Sequence, residues 1–319
     1  MNRLEVEGAR MSDVVVDAHH HLWVRARTPQ DWIDPRTMAA IDADFTPADL
    51  PAAAHGVDAT VVVQTASSWS DTDDLLEVAS SAEGRAARVA GVVGWADLFA
   101  PDLEDRLAAL RERPGGDRLV GIRTMVQAEP DDYLDRPDVH AGIAAVGAAG
   151  LPFDLVVRAD QLPACARLAA ALPDVRFVLD HLAKPQVAAT MPDAEGRPGD
   201  PAALDVWRRD LAALAARPNV VAKLSGLVTE ARWDTWTPAD LRPVADHALH
   251  VFGPDRLLLG SDWPVCLLAS GYGRWLAAAD ELLSGLAPAE RAAVRGRTAV
   301  TVYGLDVGPA PAPRTKEHQ

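Results

Sequence analysis

The densest chemistry in the chain lies between Val14 and Val24, VVVDAHHHLWV, where an apolar β-branched run ends in an aspartate and three consecutive histidines. Imidazoles two residues apart at the end of a strand suit a metal site or acid–base work, because residues i and i+2 share one face. On that rule His19 and His21 project together, Asp17 is in phase with them toward a common interior, and His20 takes the other face. The HxH pattern alone is a weak signal and reads equally as polar residues in a strand-to-loop turn. It gains weight from LDHLAKP and GSDWP, which put His181 and Asp262 after apolar runs of their own. Zinc chemistry asks for imidazole and carboxylate ligands on rigid elements with one position open to water, and four such groups from three strands could supply that.

Those groups need a scaffold that brings distant segments to one place. Short aliphatic runs recur at VVVDAH, ATVVVQT, VAGVVGW, LVGIRTM, PFDLVVR, VRFVLDH, VVAKLSG and RLLLGSD. Ala- and Leu-rich amphipathic stretches such as DLEDRLAALRER lie between them, and the runs are spaced about 35 residues apart, the length of a βα repeat. Strands covered on both faces read as continuous apolar runs, so eight such units predict a single (β/α)8 TIM barrel over residues 14–304. A doubly wound open sheet would carry a glycine-rich phosphate turn after the first strand, and none follows it. His19, Arg123, His181, Ser225 and Asp262 all follow their runs, at the C-terminal rim where barrels keep their chemistry. Residues 1–13 read as a flexible extension, and 305–319, ending GPAPAPRTKEHQ, as a Pro-rich disordered tail.

Forty-six acidic against 31 basic residues give a net charge of −15, which argues against a nucleic-acid partner. Cys165 and Cys266 are far apart and form no CxxC pair, and Cys266 is expected to pack rather than react. The N-terminus lacks the apolar core of a secretory signal, and no stretch has the length of a membrane span. A cytoplasmic protein without a membrane partner is expected. Barrels of this size also self-associate through their outer helices, so a homodimer is one expectation that the sequence leaves open.

Seven blocks in order between about Val15 and Tyr303 resemble the lactonase branch of the amidohydrolase superfamily: DAHHHLW, VVVQTASSWSDTDDLLEVA, GIRTMVQAEPDD, FDLVV with QLP, VLDHLAKP, AKLSGLVTEARWDTWTPADL and FGPDRLLLGSDWPVC. That branch contains L-fucono- and L-rhamnono-type sugar-acid lactonases and pyrone-dicarboxylate lactonase. The resemblance implies hydrolysis of a small cyclic ester, with Asp262 as general base activating water and His181, His19 and His21 around the carbonyl. It implies either one divalent ion, zinc or manganese, on His19, His21 and Asp262, or no metal, since the branch includes metal-free members. A binuclear centre is not expected, because GIRTM and VVRAD offer no bridging residue. The chain departs from its relatives at Thr124 and Asp160, where histidine is frequent; both follow strands and are expected to face the substrate.

Arg123, with its fixed fork of donors, is expected to hold a substrate hydroxyl or carboxylate, a rim salt bridge being the plainer role. Lys184 is a candidate to neutralise a carboxylate, or else a solvated loop lysine. Asp180, next to His181, is expected to face the barrel wall. Trp23, Trp69, Trp233, Trp236 and Trp263 follow strands and are expected to line the pocket. Two other functions remain open from the sequence: a metal-dependent decarboxylase or lactone isomerase on the same barrel, and a ligand-binding barrel without catalysis.

Overall fold

The computed structural model describes residues 14–307, so the expectations for residues 1–13 and for the tail beyond 307 lie outside the described residues. Eight parallel strands follow one another in sequence order around a single sheet. They are β1 (Val16–His20), β2 (Ala59–Val63), β3 (Val89–Gly94), β4 (Leu119–Thr124), β5 (Phe153–Leu155), β6 (Phe177–Leu179), β7 (Val220–Leu224) and β8 (Leu257–Leu259). Between and after them run helices that include α1 (Trp69–Ser80), α2 (Leu103–Arg111), α3 (Pro137–Ala148), α4 (Leu162–Ala171), α5 (Asp205–Ala215), α6 (Pro238–Phe252), α7 (Tyr272–Leu282) and α8 (Thr298–Tyr303). The expected (β/α)8 barrel is borne out, with each of the eight apolar runs supplying one strand. No described helix is long and apolar enough to cross a membrane.

The ring closes beyond the end of β8. Asp262 N donates to His19 O at 2.8 Å and His21 N to Trp263 O at 2.6 Å, joining the first strand to the segment after the last. Lys223 reaches residues of three other strands or their ends, so its face of β7 is the barrel axis. Val221 shares that face and packs in one interior cluster with Val16, Ala18, Val61, Val63, Val120, Val178 and Leu258. Ala299, Tyr303 and Leu305 from α8 and the residues after it join this cluster, so the chain's last described turn is built into the barrel interior.

Two irregularities decide which polar groups face the axis. In β1 the register with β2 shifts, Asp17 pairing with Thr60 but His20 with Val62, a bulge of one residue. The alternation therefore slips between Asp17 and His19. Val16 and Ala18 face the interior, whereas Asp17 turns outward to Ser261 and to Tyr272 on α7. The expectation that Asp17 projects with His19 and His21 is corrected for that reason. The second irregularity follows β6, where His181, Leu182, Ala183 and Lys184 all have φ between 51° and 60°. This left-handed turn ends the pleat, so Asp180 and His181 both point to the axis, and Asp180 does not face the barrel wall as expected.

Candidate active site

Three imidazoles and one carboxylate meet where β1, β6 and β8 end. Asp262 Oδ1 lies 3.8 Å from His19 Nε2, 3.5 Å from His21 Nε2 and 3.7 Å from His181 Nε2. The two β1 imidazoles face each other, Nε2 to Nε2, at 3.2 Å. His20 turns to the other side, its Nε2 3.0 Å from Thr60 Oγ1. Above the cluster is a cavity of about 180 Å³, lined by His21, Arg123, His181, Lys184 and Asp262 on one side. Trp23, Trp32, Met125, Val156 and Val265 form its apolar side, with Gln30, Thr65 and Gln127 among them. Drug-sized ligands occupy about 300–1,000 Å³, so this space suits a single small ring. A larger cavity of about 460 Å³ at the opposite end of the barrel, beside Arg176 and Arg297, contains none of these imidazoles.

Backbone geometry aims each group. Asp262 has φ 57°, a left-handed conformation that costs a non-glycine residue about 1–2 kcal/mol. Asp17 holds the preceding residue in place: its Oδ1 accepts from Ser261 N at 2.7 Å and its Oδ2 from Ser261 Oγ at 2.6 Å and Tyr272 OH at 3.0 Å. Burial pushes the Asp17 carboxyl up to about 6, against these hydrogen bonds. Glycines give the imidazoles room. A Cβ on Gly226 would lie 2.6 Å from His181 Nδ1, and one on Gly260 would lie 2.7 Å from His19 Cβ.

Each imidazole is also held from behind. His21 Nδ1 lies 2.8 Å from Val63 O, and a carbonyl only accepts, so His21 presents a lone pair at Nε2 when neutral. His181 Nδ1 is 2.9 Å from Ser225 Oγ. His19 Nδ1 lies between Asp180 Oδ1 at 3.2 Å and Lys223 Nζ at 3.1 Å. Burial holds His19 well below the ordinary imidazole range, against the pull of Asp180, and brings His181 down to about 4. Asp262 is held below the usual carboxylate range: burial works against this, but His181, His21 and Lys184 outweigh it. The site thus pairs the neutral imidazoles of His19 and His181 with an ionised carboxylate.

Beneath it lies a buried charge network. Asp180 Oδ2 accepts from Arg123 at 3.0 Å, and Lys223 lies 2.9 Å from Asp180 Oδ1 and 2.6 Å from Asp154 Oδ2. Tyr303 OH donates to Asp154 at 2.7 Å. Burial would raise the Asp180 carboxyl, yet Lys223, His19 and Arg123 hold it well below its usual range. For Asp154 burial wins over Lys223 and brings it up to about 6.

Arg123 is therefore committed to Asp180 and to the Gln64 carbonyl, with its Nη1 also 3.4 Å from His19 Nε2, and reaches the cavity as part of this network. Thr124 lies next to it on the opposite side of β4 and does not line the cavity. Asp160 is exposed and paired with Arg158. Of the five tryptophans expected at the pocket, Trp23 alone lines it. Trp69 packs on Trp95 and Trp263 on Phe45, while Trp233 and Trp236 bond the carbonyls of Thr229 and Ala269. Sequence reasoning missed Trp32, Gln30, Lys223 and Asp154. The last two had a visible signal, a lone charge inside the apolar runs VVAKLSG and PFDLVV.

Among the described residues, His19, His181 and Asp262 form a group whose ligand atoms all lie within 4.8 Å of one another, and His21 approaches two of them. Two ligand atoms about 2.0–2.1 Å from one tetrahedral ion stand roughly 3.3 Å apart, close to the 3.2–3.8 Å separations here. The ionised carboxylate, and acceptors such as Val63 O behind His21 and Asp180 behind His19, suit a divalent cation. His19 joins such a set through Nε2 only in the tautomer that carries its proton on Nδ1.

The amidohydrolase family model matches residues 16–305. Over 301 residues the chain is 40% identical to the L-fucono-1,5-lactonase of Burkholderia ambifaria, covering 91% of this chain and 96% of that one. The Burkholderia multivorans L-fucono-1,5-lactonase is 38% identical over 304 residues, covering 92% and 97%. A crystal structure of a Burkholderia multivorans amidohydrolase with bound zinc is 37% identical and superposes with a TM-score of 0.80, covering 92% of this chain and 100% of that chain. With the barrel, the cluster at its rim and a match along almost its whole length, this chain belongs to the amidohydrolase family.

Proposed function

We propose that this barrel hydrolyses a sugar-acid lactone, with Asp262 as general base and a six-membered L-fucono-type lactone as the first substrate to test. One observation carries the reading: three imidazole Nε2 atoms lie within 3.8 Å of one buried carboxylate oxygen beside a cavity the size of a single ring. Relatives at 38–40% identity named as L-fucono-1,5-lactonases support the choice of substrate.

In this mechanism Asp262 takes a proton from water as the water oxygen bonds to the lactone carbonyl carbon. A positioned base of this kind contributes about 10²–10⁴-fold. His181 donates from Nε2 to the developing oxyanion when Ser225 Oγ–H donates to its Nδ1. Lys184 at the cavity wall adds positive charge there. Collapse of the tetrahedral adduct breaks the ring C–O bond, and the leaving oxygen takes back the proton held by Asp262. The product is the open hydroxy acid, and Asp262 is again ionised. A divalent cation on His19, His181 and Asp262, with His21 beside them, would supply Lewis-acid polarisation and a more acidic water when bound.

The test is a pH-indicator assay of freshly prepared five- and six-membered aldonolactones, with a chelated aliquot run in parallel. Acid release is expected from the L-fucono lactones, and Asp262→Asn is expected to lower kcat by at least about 100-fold. No opening of any lactone would overturn the substrate class. Full activity in the Asp262→Asn enzyme would overturn the role of the base.

A further inference from the structure

Lys223 is fully buried in β7 beneath the cavity, and its ammonium meets three groups. Asp154 Oδ2 lies at 2.6 Å, Asp180 Oδ1 at 2.9 Å and His19 Nδ1 at 3.1 Å. An ammonium donates and accepts nothing. Where it donates to His19 Nδ1, that nitrogen offers its lone pair and the proton of the neutral ring sits on Nε2. Asp180 competes for the same nitrogen from 3.2 Å and, as a carboxylate, only accepts, so its claim would put the proton on Nδ1.

Alignment separates the two. Lys223 Nζ stands in hydrogen-bonding geometry to His19 Nδ1, whereas Asp180 Oδ1 has no aligned donor, and its other oxygen is held by Arg123. On the far side of the ring Arg123 Nη1, which only donates, makes the opposite claim on His19 Nε2 from 3.4 Å. Its shorter bond, 3.0 Å, goes to Asp180 Oδ2, however, and the nearer neighbour of Nε2 is His21. His19 Nε2 faces His21 Nε2 at 3.2 Å, and in the neutral His21 ring that atom is a lone pair, because its Nδ1 donates to Val63 O. A proton on His19 Nε2 completes a hydrogen bond across that gap, where two lone pairs would repel.

We propose that Lys223 is a positioning residue that holds His19 in its Nε2–H tautomer, making His19 a hydrogen-bond donor in the site and opposing its use as a metal ligand. To ligate through Nε2, His19 must carry its proton on Nδ1, give up the Lys223 bond and donate to Asp180 instead. The ring is neutral before and after; only the nitrogen bearing the proton changes. The buried lysine thus weakens cation binding at a cluster whose spacing otherwise suits it. This inference does not depend on the lactone reading, because it concerns a tautomer and an affinity rather than a substrate.

The test uses full-length protein with ¹⁵N-labelled histidine, stripped of metal by chelator. Two-bond ¹H–¹⁵N correlations, with the His19 signals identified by their loss in His19→Gln, are expected to show the Nε2–H pattern. Zinc affinity is then read by competition with a chromophoric chelator. Lys223→Met is expected to bind zinc about 10–100-fold more tightly, the range typical of outer-shell changes, with His19 moved to the Nδ1–H pattern. An Nδ1–H pattern in the unsubstituted protein would overturn the proposal, and that result requires no variant to fold. A folded Lys223→Met protein that binds zinc no more tightly would overturn it as well.

Discussion

At the scale of single residues, much of the site's precision rests on atoms that are missing. Gly226 has φ 64°, and its absent Cβ is what allows His181 to sit where it does. Gly226→Ala should cost about 1–2 kcal/mol of stability for the left-handed backbone. Under the proposed mechanism its effect on kcat should be far larger, about 100-fold, the loss expected when a group that touches the reacting atoms is displaced by an ångström. Parallel urea unfolding and lactonase assays would check this, and near-normal turnover would show that the position of His181 is not critical. The identities of His19, His21, His181 and Asp262 were legible because imidazole and carboxylate following apolar runs are unusual. The buried Lys223 was overlooked although a lysine in a doubly covered strand is just as unusual. Its partners Asp154 and Asp180 come from strands far away in the sequence, and single-strand reasoning offers no way to pair them.

At the scale of elements, all eight strands could be read from their apolar runs, since a strand covered on both faces has few other compositions. What the runs do not encode is where the alternation breaks. The bulge in β1 and the left-handed turn after β6 reversed the facing of Asp17 and Asp180, and neither contains a glycine or proline to mark it. Loops were harder still. Five tryptophans follow strands, but their ring contacts depend on how the loops fold over the rim, and Trp23 alone reached the cavity. Trp32, in the long segment after β1, lines the cavity while 49% exposed, its Nε1 bonded to Gln30 at 2.8 Å. This segment carries the apolar wall against which a sugar ring would rest. Trp32→Ala is expected to raise KM about ten-fold with kcat little changed, the signature of contact energy equal in ground and transition states. A fall in kcat with KM unchanged would instead give Trp32 a part in the chemical step.

At the scale of the whole molecule, the interior is layered along the barrel axis: the cavity, the imidazole cluster, the Lys223 network, then the aliphatic cluster closed by α8. Tyr303 ties the last described helix to the network by donating to Asp154. Tyr303→Phe should therefore lower unfolding free energy by about 1.5–3 kcal/mol, as for a hydrogen bond to a charged group, measured by urea titration. An unchanged midpoint would mean that packing alone closes this end.

The seam between β1 and β8 has one more consequence. His19 and Asp262 stand on opposite sides of the join, 243 positions apart, and the backbone bond between them is part of what shuts the ring. A chain growing out of a ribosome presents His19 and His21 more than 240 residues before Asp262. Its interior waits longer still for Tyr303. A product that ends before Asp262 lacks one side of this join, so under the proposed function turnover would report a ring that has closed.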